Sequence, residues 1–198
     1  MYNIVIISCV APPETVVSGR INWDIADFLA KNGNKVTLIS PVPSRPIGNF
    51  KEEVAFDKML KNGVRHIRVD SFKFPNRGLF GRFYESFSFA KEAISVVNKL
   101  DCDIIYSMPW PFIGQFLINV FINKKIKIVM NVQDLYPESF IDKMQLGILS
   151  KLFSPLKLID KFSAKKSFHI TVVSKSLKNF YVNYRGIKSN KITTHLET

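Results

Sequence analysis

Apolar positions along the chain alternate between unbroken runs and helical stripes, and that alternation predicts the elements. Residues 3–10, NIVIISCV, form a continuous apolar run of the kind buried on both faces of a parallel sheet. In 19–33, GRINWDIADFLAKNG, the side chains of Ile21, Ile25, Phe28 and Leu29 fall on one helical stripe, and Gly33 stands at the C-terminal stop. NKVTLIS (34–40) supplies a second strand and VRHIRV (64–69) a third. Between them a polar, proline-marked stretch from Pro41 predicts a long loop with a short helix around 51–62. A helix over 79–100 follows, with Phe80, Phe83, Tyr84, Phe87, Ala90, Ile94 and Val97 on the face expected to enter the core. Further strands are expected at 103–108, 126–132, 168–174 and 190–195, with helices at 111–123, 145–166 (bent at Pro155) and 174–184. Strands and helices in alternation, joined by right-handed crossovers, give an α/β, Rossmann-like fold: an open, mostly parallel sheet with helices on both faces.

In such a sheet the ligand crevice lies outside the carboxyl ends of the strands, so the informative residues are those just after each strand. The first of these loops lacks a G-x-G-x-x-G fingerprint, and the chain has no G-x-x-x-x-G-K-[ST], which disfavours a dinucleotide oxidoreductase or a phosphate-loop NTPase. What it offers is Ser18-Gly19-Arg20 at a helix start. Two readings fit those three residues: an anion site made by free amides and the helix dipole, with Arg20 beside it, or a serine N-cap followed by a glycine for a tight turn. In the second loop Pro109-Trp110-Pro111 fixes a large aromatic at a strand end, suited either to stacking on a sugar ring or to core packing. In the loop after the sixth strand, Ser174-Lys175 caps the next helix.

The sharpest signal is NVQDLYPESF, 131–140. Gln133 and Asp134 follow a buried strand directly, which aims them at the crevice, where a carboxylate can accept a hydrogen bond from a hydroxyl nucleophile. The alternative is that Asp134 caps the turn that follows it.

Charge adds a second feature. Lys and Arg number 28 against 16 Asp and Glu, a net +12, and the surplus concentrates late in the chain. Between Lys143 and Lys191 there are ten lysines and Arg185 against a single acid, Asp160. Such a face attracts nucleic acid, anionic lipid headgroups or a diphosphate substrate, or simply solubilises the chain. Cys9 and Cys102 sit in or beside apolar runs, without a CxxC or a secretory leader, and are expected to be small core hydrophobes in a reducing, cytoplasmic setting. No run reaches the ~18 apolar residues that span a bilayer, so any membrane contact is expected to be peripheral.

Three segments together carry a resemblance: APPET with SG opening the first helix, V-Q-D-L-Y-P-E-S (132–139) after the fifth strand, and VVSKSL (172–177) after the sixth. Across essentially all 198 residues the chain resembles the N-terminal domain of retaining glycosyltransferases of family 4, within them the bacterial capsule, O-antigen and exopolysaccharide enzymes related to N-acetyl-fucosaminyl transferases. The resemblance implies a GT-B fold whose first half, here residues 1–198, binds acceptor while a second Rossmann-like half binds the nucleotide-sugar. It implies transfer from a nucleoside diphosphate donor, commonly UDP-linked, to a polyprenyl-diphosphate-linked saccharide, without metal or other cofactor, by a protein peripheral to the inner face of the cytoplasmic membrane. On that implication Gly19 touches the donor diphosphate, Asp134 lies near the reacting centre, and Glu138 and Ser139 shape the same wall. The chain ends at Thr198, where the second half would begin, so alone it is expected to fold without being active, and a missing domain or partner subunit is expected to supply the donor site. The rival expectation is a noncatalytic α/β module that binds polyanions. Nucleic acid is disfavoured because the aromatics fall on helical stripes rather than among the basic residues.

Overall fold

In the computed structural model, which describes residues 1–43, 54–72, 79–108, 113–138 and 154–195, eight strands form one sheet. They are β1 (Asn3–Ser8), β2 (Lys35–Pro41), β3 (Phe56–Met59), β4 (Arg65–Val69), β5 (Ile104–Met108), β6 (Lys127–Val132), β7 (His169–Val172) and β8 (Ile192–Thr194). Their spatial order is β3-β4-β2-β1-β5-β6-β7-β8. Every neighbouring pair is parallel except β3 and β4. Five helices were assigned among the described residues: α1 (Val17–Lys31), α2 (Leu79–Val97), α3 (Ile113–Phe121), α4 (Ser154–Lys166) and α5 (Lys175–Arg185). The doubly wound, Rossmann-like fold expected from the pattern is the one observed.

Because the strands are apolar on both faces, each face needs its own cover. Ile4, Ile6, Val36 and Leu38 pack beneath α1 with Ala26. The opposite face, Val5, Ile7, Ile39 and Ile105, joins Phe89, Ala93 and Val97 of α2 and Ile118 of α3. Under α4 and α5, Met130, Ile170 and Ile192 meet Ala164, Leu177 and Tyr181.

Two helical stripes differ from expectation for one reason. On α1 the buried residues are Gly19, Asn22 and Ala26, while Ile21 and Phe28 are exposed. On α2 they include Ser86, Phe89, Ala90, Ala93 and Val97, leaving Tyr84 and Phe87 exposed; the side chain of Phe80 lies outside the described residues. Ala90 and Val97 of the expected α2 stripe are buried as expected, whereas the bulkier Tyr84 and Phe87 are not: where small residues set a close approach to the sheet, a stripe chosen by apolar bulk is rotated away from the contact face.

The helix expected around 51–62 is replaced, over its described part, by β3, an antiparallel edge strand paired Phe56 to Arg68 and Met59 to Arg65. Residues 44–53 lie outside the described residues. Asn62-Gly63 is the reason: Gly63 takes φ of +83°, Leu60 N–H bonds Val64 O at 2.9 Å, and the chain doubles back as a hairpin. The described part of α4 starts at Ser154, one residue before Pro155, so the bend expected there falls at the limit of the described residues. Cys9 is buried as expected, whereas Cys102 is only partly so; neither forms a disulfide among the described residues. Burial pushes the Cys102 thiol up to about 11.

Candidate functional site

Strand order reverses between β1 and β5, so the crevice expected of this fold opens at their carboxyl ends. Buried polar side chains tie those ends together. Ser8 Oγ donates to Val10 O at 2.5 Å and accepts from Asn22 Nδ2 at 2.8 Å, which also lies 3.3 Å from Met108 Sδ at the end of β5. Ser107 donates to Gln115 Oε1 at 2.7 Å, fixing the start of α3 to β5. On β6, Asn131 Oδ1 accepts from Thr171 Oγ1 at 3.2 Å and lies 3.1 Å from His195 Nε2. Buried polar groups of this kind are costly unless paired, and here they set the floor of the crevice.

The first wall is the loop from Cys9 into α1. Gly19 is buried against it: a Cβ there would stand 3.2 Å from both C and O of Val10 and 3.3 Å from Ala11 N, all backbone atoms. Glycine therefore lets the first turn of α1 lie directly on the β1 end. The N-cap is Val16, with no side-chain cap, so Ser18 lies inside the first turn and is not the cap that one reading of the sequence allowed. The amides of Gly19 and Arg20 both bond Val16 O, at 3.0 and 3.3 Å, so without a capping side chain it is the amides of Val17 and Ser18 that are left for solvent or a ligand among the described residues. Arg20 is exposed and pairs with Asp24 at 3.0 Å along the helix.

The second wall is the loop after β6. Gln133 is half-buried and Asp134 exposed, and among the described residues Asp134 makes no hydrogen bond or ion pair. Glu138 behaves differently. Both of its oxygens accept from Arg185, at 2.9 and 2.8 Å, and Lys157 stands 3.9 Å away. Arg185, at the end of α5, also donates to Tyr136 O at 3.2 Å and, through Nε, to Asp160 of α4 at 2.6 Å. The other Asp160 oxygen accepts from Tyr181 at 2.9 Å. Burial lifts the Asp160 carboxyl above its ordinary range, against the pull of Arg185 and Tyr181. For Arg185 burial acts downward, but its bonds to Asp160 and Glu138 outweigh it and hold the guanidinium above its ordinary value. At 2.6 Å from a guanidinium that keeps its proton, Asp160 is ionised at neutral pH. Burial, and then the adjacent Asp160 charge, push the Tyr181 hydroxyl well above 10, so it remains the donor.

Sequence reasoning singled out Glu138 but not Arg185, Asp160 or Tyr181. The signal was present: the one acid among eleven bases falls at helical spacing with the buried Ser163, Ala164 and Ser167, an expensive place for an unpaired carboxylate. Ser174 caps α5 as expected, accepting from Leu177 N at 3.2 Å. Trp110 and Ser139 lie outside the described residues. The structure thus brings Ser18 and Gly19 to the crevice beside β1 and Gln133 and Asp134 to the loop after β6, with Arg20 and Glu138 already engaged by neighbours. Among the described residues no three His, Cys, Asp or Glu side chains converge as a metal site would require.

The sequence profile of Glycosyltransferase Family 4 matches residues 18–194. No curated protein matches the chain in sequence. Among solved structures, sucrose-phosphate synthase from Thermosynechococcus elongatus superposes with a TM-score of 0.64 at 10% identity, over 98% of this chain and 47% of that one. The catalytic domain of starch synthase IV from Arabidopsis thaliana, bound to ADP and acarbose, gives 0.64 at 12% identity over 98% and 51%. An α,α-trehalose-phosphate synthase (UDP-forming) from Burkholderia vietnamiensis gives 0.52 at 12% identity over 94% and 44%. The chain spans about half the length of these structures, and the likeness is one of fold, that of the N-terminal half of GT-B enzymes.

Proposed function

The chain belongs to Glycosyltransferase Family 4, and from that premise we propose that it is the acceptor-binding half of a retaining hexosyltransferase of bacterial surface polysaccharide assembly, capsule or O-antigen, close to the N-acetyl-fucosaminyl transferases. The observation that carries the reading is Asp134: an exposed carboxylate at the carboxyl end of a central strand, on a loop whose other acid is already neutralised by Arg185. In the step proposed, an acceptor hydroxyl oxygen forms a bond to the anomeric carbon of the donor sugar while the bond from that carbon to the diphosphate breaks. Asp134 accepts the hydrogen bond of the attacking hydroxyl and orients it, and the products are the glycoside, the nucleoside diphosphate and one proton. The uncapped start of α1, with Ser18 and Gly19, faces the donor diphosphate. Arg20 adds positive charge nearby, Gln133 contributes to the acceptor side, and Glu138 acts by holding the loop, while the substrate contacts expected of Trp110 and Ser139 fall outside the described residues. The donor, UDP-linked on this reading, is held mainly by a second domain or partner chain, and no step is assigned to a metal or other cofactor. Support for a nucleotide and a saccharide on this scaffold comes from the starch synthase IV structure, bound to ADP and acarbose.

The acceptor on this reading is a polyprenyl-diphosphate-linked saccharide, reached by peripheral contact with an anionic membrane at its cytoplasmic face. No helix among the described residues is long and apolar enough to cross a membrane. Two groups of exposed apolar side chains stand among lysines. Phe121, Phe168, Lys165 and Lys166 lie where α3 and α4 return to the starts of β6 and β7, at the far end from the crevice. Leu158, 68% exposed, lies instead in the early turns of α4 with Lys157, on the crevice side, and is the better placed for a lipid-anchored acceptor.

The test is incorporation of tritiated sugar from a panel of UDP-hexoses and UDP-N-acetylhexosamines into polyprenyl-linked saccharide, by membranes from cells that express the protein with its donor-binding half. Transfer with the donor's anomeric configuration kept in the product is the expected result. Salt-sensitive RNA binding with no transfer from any donor would instead favour the polyanion-binding module.

A further inference from the structure

Among the described residues no hydrogen bond or ion pair fixes Asp134, so its place is set by its neighbours in the chain. On one side is Val132, held in β6 by its pairing with Val172. On the other, a single side chain grips the loop twice: Arg185 takes the carbonyl of Tyr136 and both oxygens of Glu138. We propose that Arg185 is the positioning residue of the Asp134 loop, tying it through Asp160 to α4 and α5 so that the carboxylate stands at a fixed point of the crevice wall. The proposal rests on the reading of the site given above, but its first test does not.

The chemistry requires an arginine. Nε serves Asp160 while the other end of the same planar group serves Glu138 and Tyr136, three acceptors in different directions that a lysine ammonium cannot span. The anchor is itself anchored. Asp160 cannot turn away, because its second oxygen holds the Tyr181 hydroxyl, and the Arg185 guanidinium also lies 4.9 Å over the Phe180 ring. The side chains of Arg185 and Asp160 are 5% and 9% exposed, so water competes little for these bonds. One charge cluster thereby joins three separate elements, the loop after β6, α4 and α5, at the point where the chain leaves a central strand.

Arg185→Lys keeps the charge and removes the fork. Hydrogen exchange is expected to rise at least about tenfold at the amides of residues 134–136 and 138, while amides of β6 and β7 keep wild-type rates. A merely structural role would instead loosen α4, α5 and β7 together. Glu138→Gln cuts only the loop side and leaves Arg185 on Asp160; it is expected to loosen the same amides, and it serves where Arg185→Lys does not fold. Unchanged loop exchange in a folded Arg185→Lys protein, or in Glu138→Gln, overturns the proposal. In the transfer assay, misplacing the carboxylate is expected to lower kcat roughly 10–100-fold with the donor KM little changed. A loosened loop with wild-type kcat also overturns it. If the wild-type protein transfers no sugar from any donor, the functional reading fails by itself, and the exchange result still decides whether Arg185 positions the loop.

Discussion

Glycine at position 19 does two jobs that pull in opposite directions energetically. In a helix it costs about 0.5–1 kcal/mol relative to alanine, yet its missing Cβ is what lets α1 rest on the backbone of Val10 and Ala11. All three atoms it would press are backbone, so they cannot rotate aside. Gly19→Ala is therefore expected to lose on the order of 1 kcal/mol net, the overpacking outweighing the helical gain, as a lowered midpoint in urea unfolding. Asp134 is the opposite kind of residue: exposed, and without a hydrogen bond or ion pair among the described residues, it contributes little to folding. Asp134→Asn is expected to leave unfolding within about 0.5 kcal/mol of wild type, so any effect on transfer reports chemistry rather than stability.

At the level of elements, the β3–β4 hairpin makes a pH-dependent contribution. His66 is buried between the edges of Trp23 and Phe56, with Ser40 Oγ 2.9 Å from its Nε2. Burial first, and then Arg68 and Lys58, push its pKa down to about 4. It is neutral when folded and binds a proton more readily when unfolded, so its stabilisation is complete above pH 6.5 and declines as pH falls toward 4. At pH 5 the loss is on the order of 2 kcal/mol, and His66→Gln should remove that part of the pH dependence of urea unfolding. The hairpin also marks what could be seen in advance. Apart from β3, the strands of the sheet were legible as short, largely apolar runs; the polar FDKM of β3 carries no such signal, and Asn62-Gly63 after it marks the turn. The contact faces of α1 and of the first half of α2 were not legible, because Gly19, Asn22 and Ser86 say nothing of closeness until the sheet is in place, whereas Ala90 and Val97 were legible. Asp134 could be picked out by its place after a strand; the partners of Glu138 could not, because Asp160, Tyr181 and Arg185 come together only through the packing of α4 on α5.

For the whole molecule, the sheet brings the loops after β1 and β6 to one edge, while the Phe121–Phe168 surface faces the other. Among the described residues, the membrane contact proposed to serve the crevice falls to the early turns of α4. Leu158→Glu is expected to weaken binding to vesicles rich in anionic lipid, and Phe168→Glu to leave it nearly unchanged; the reverse ranking would place the membrane at the far end. The measurement that bears most directly on the account is sugar transfer by Asp134→Asn beside wild type, with the acceptor-bearing membranes and UDP-sugars described above. A folded variant that has lost about a hundredfold or more of the wild-type rate is the predicted result. Wild-type turnover by that variant would contradict it and leave Asp134 as the cap of the turn that follows it.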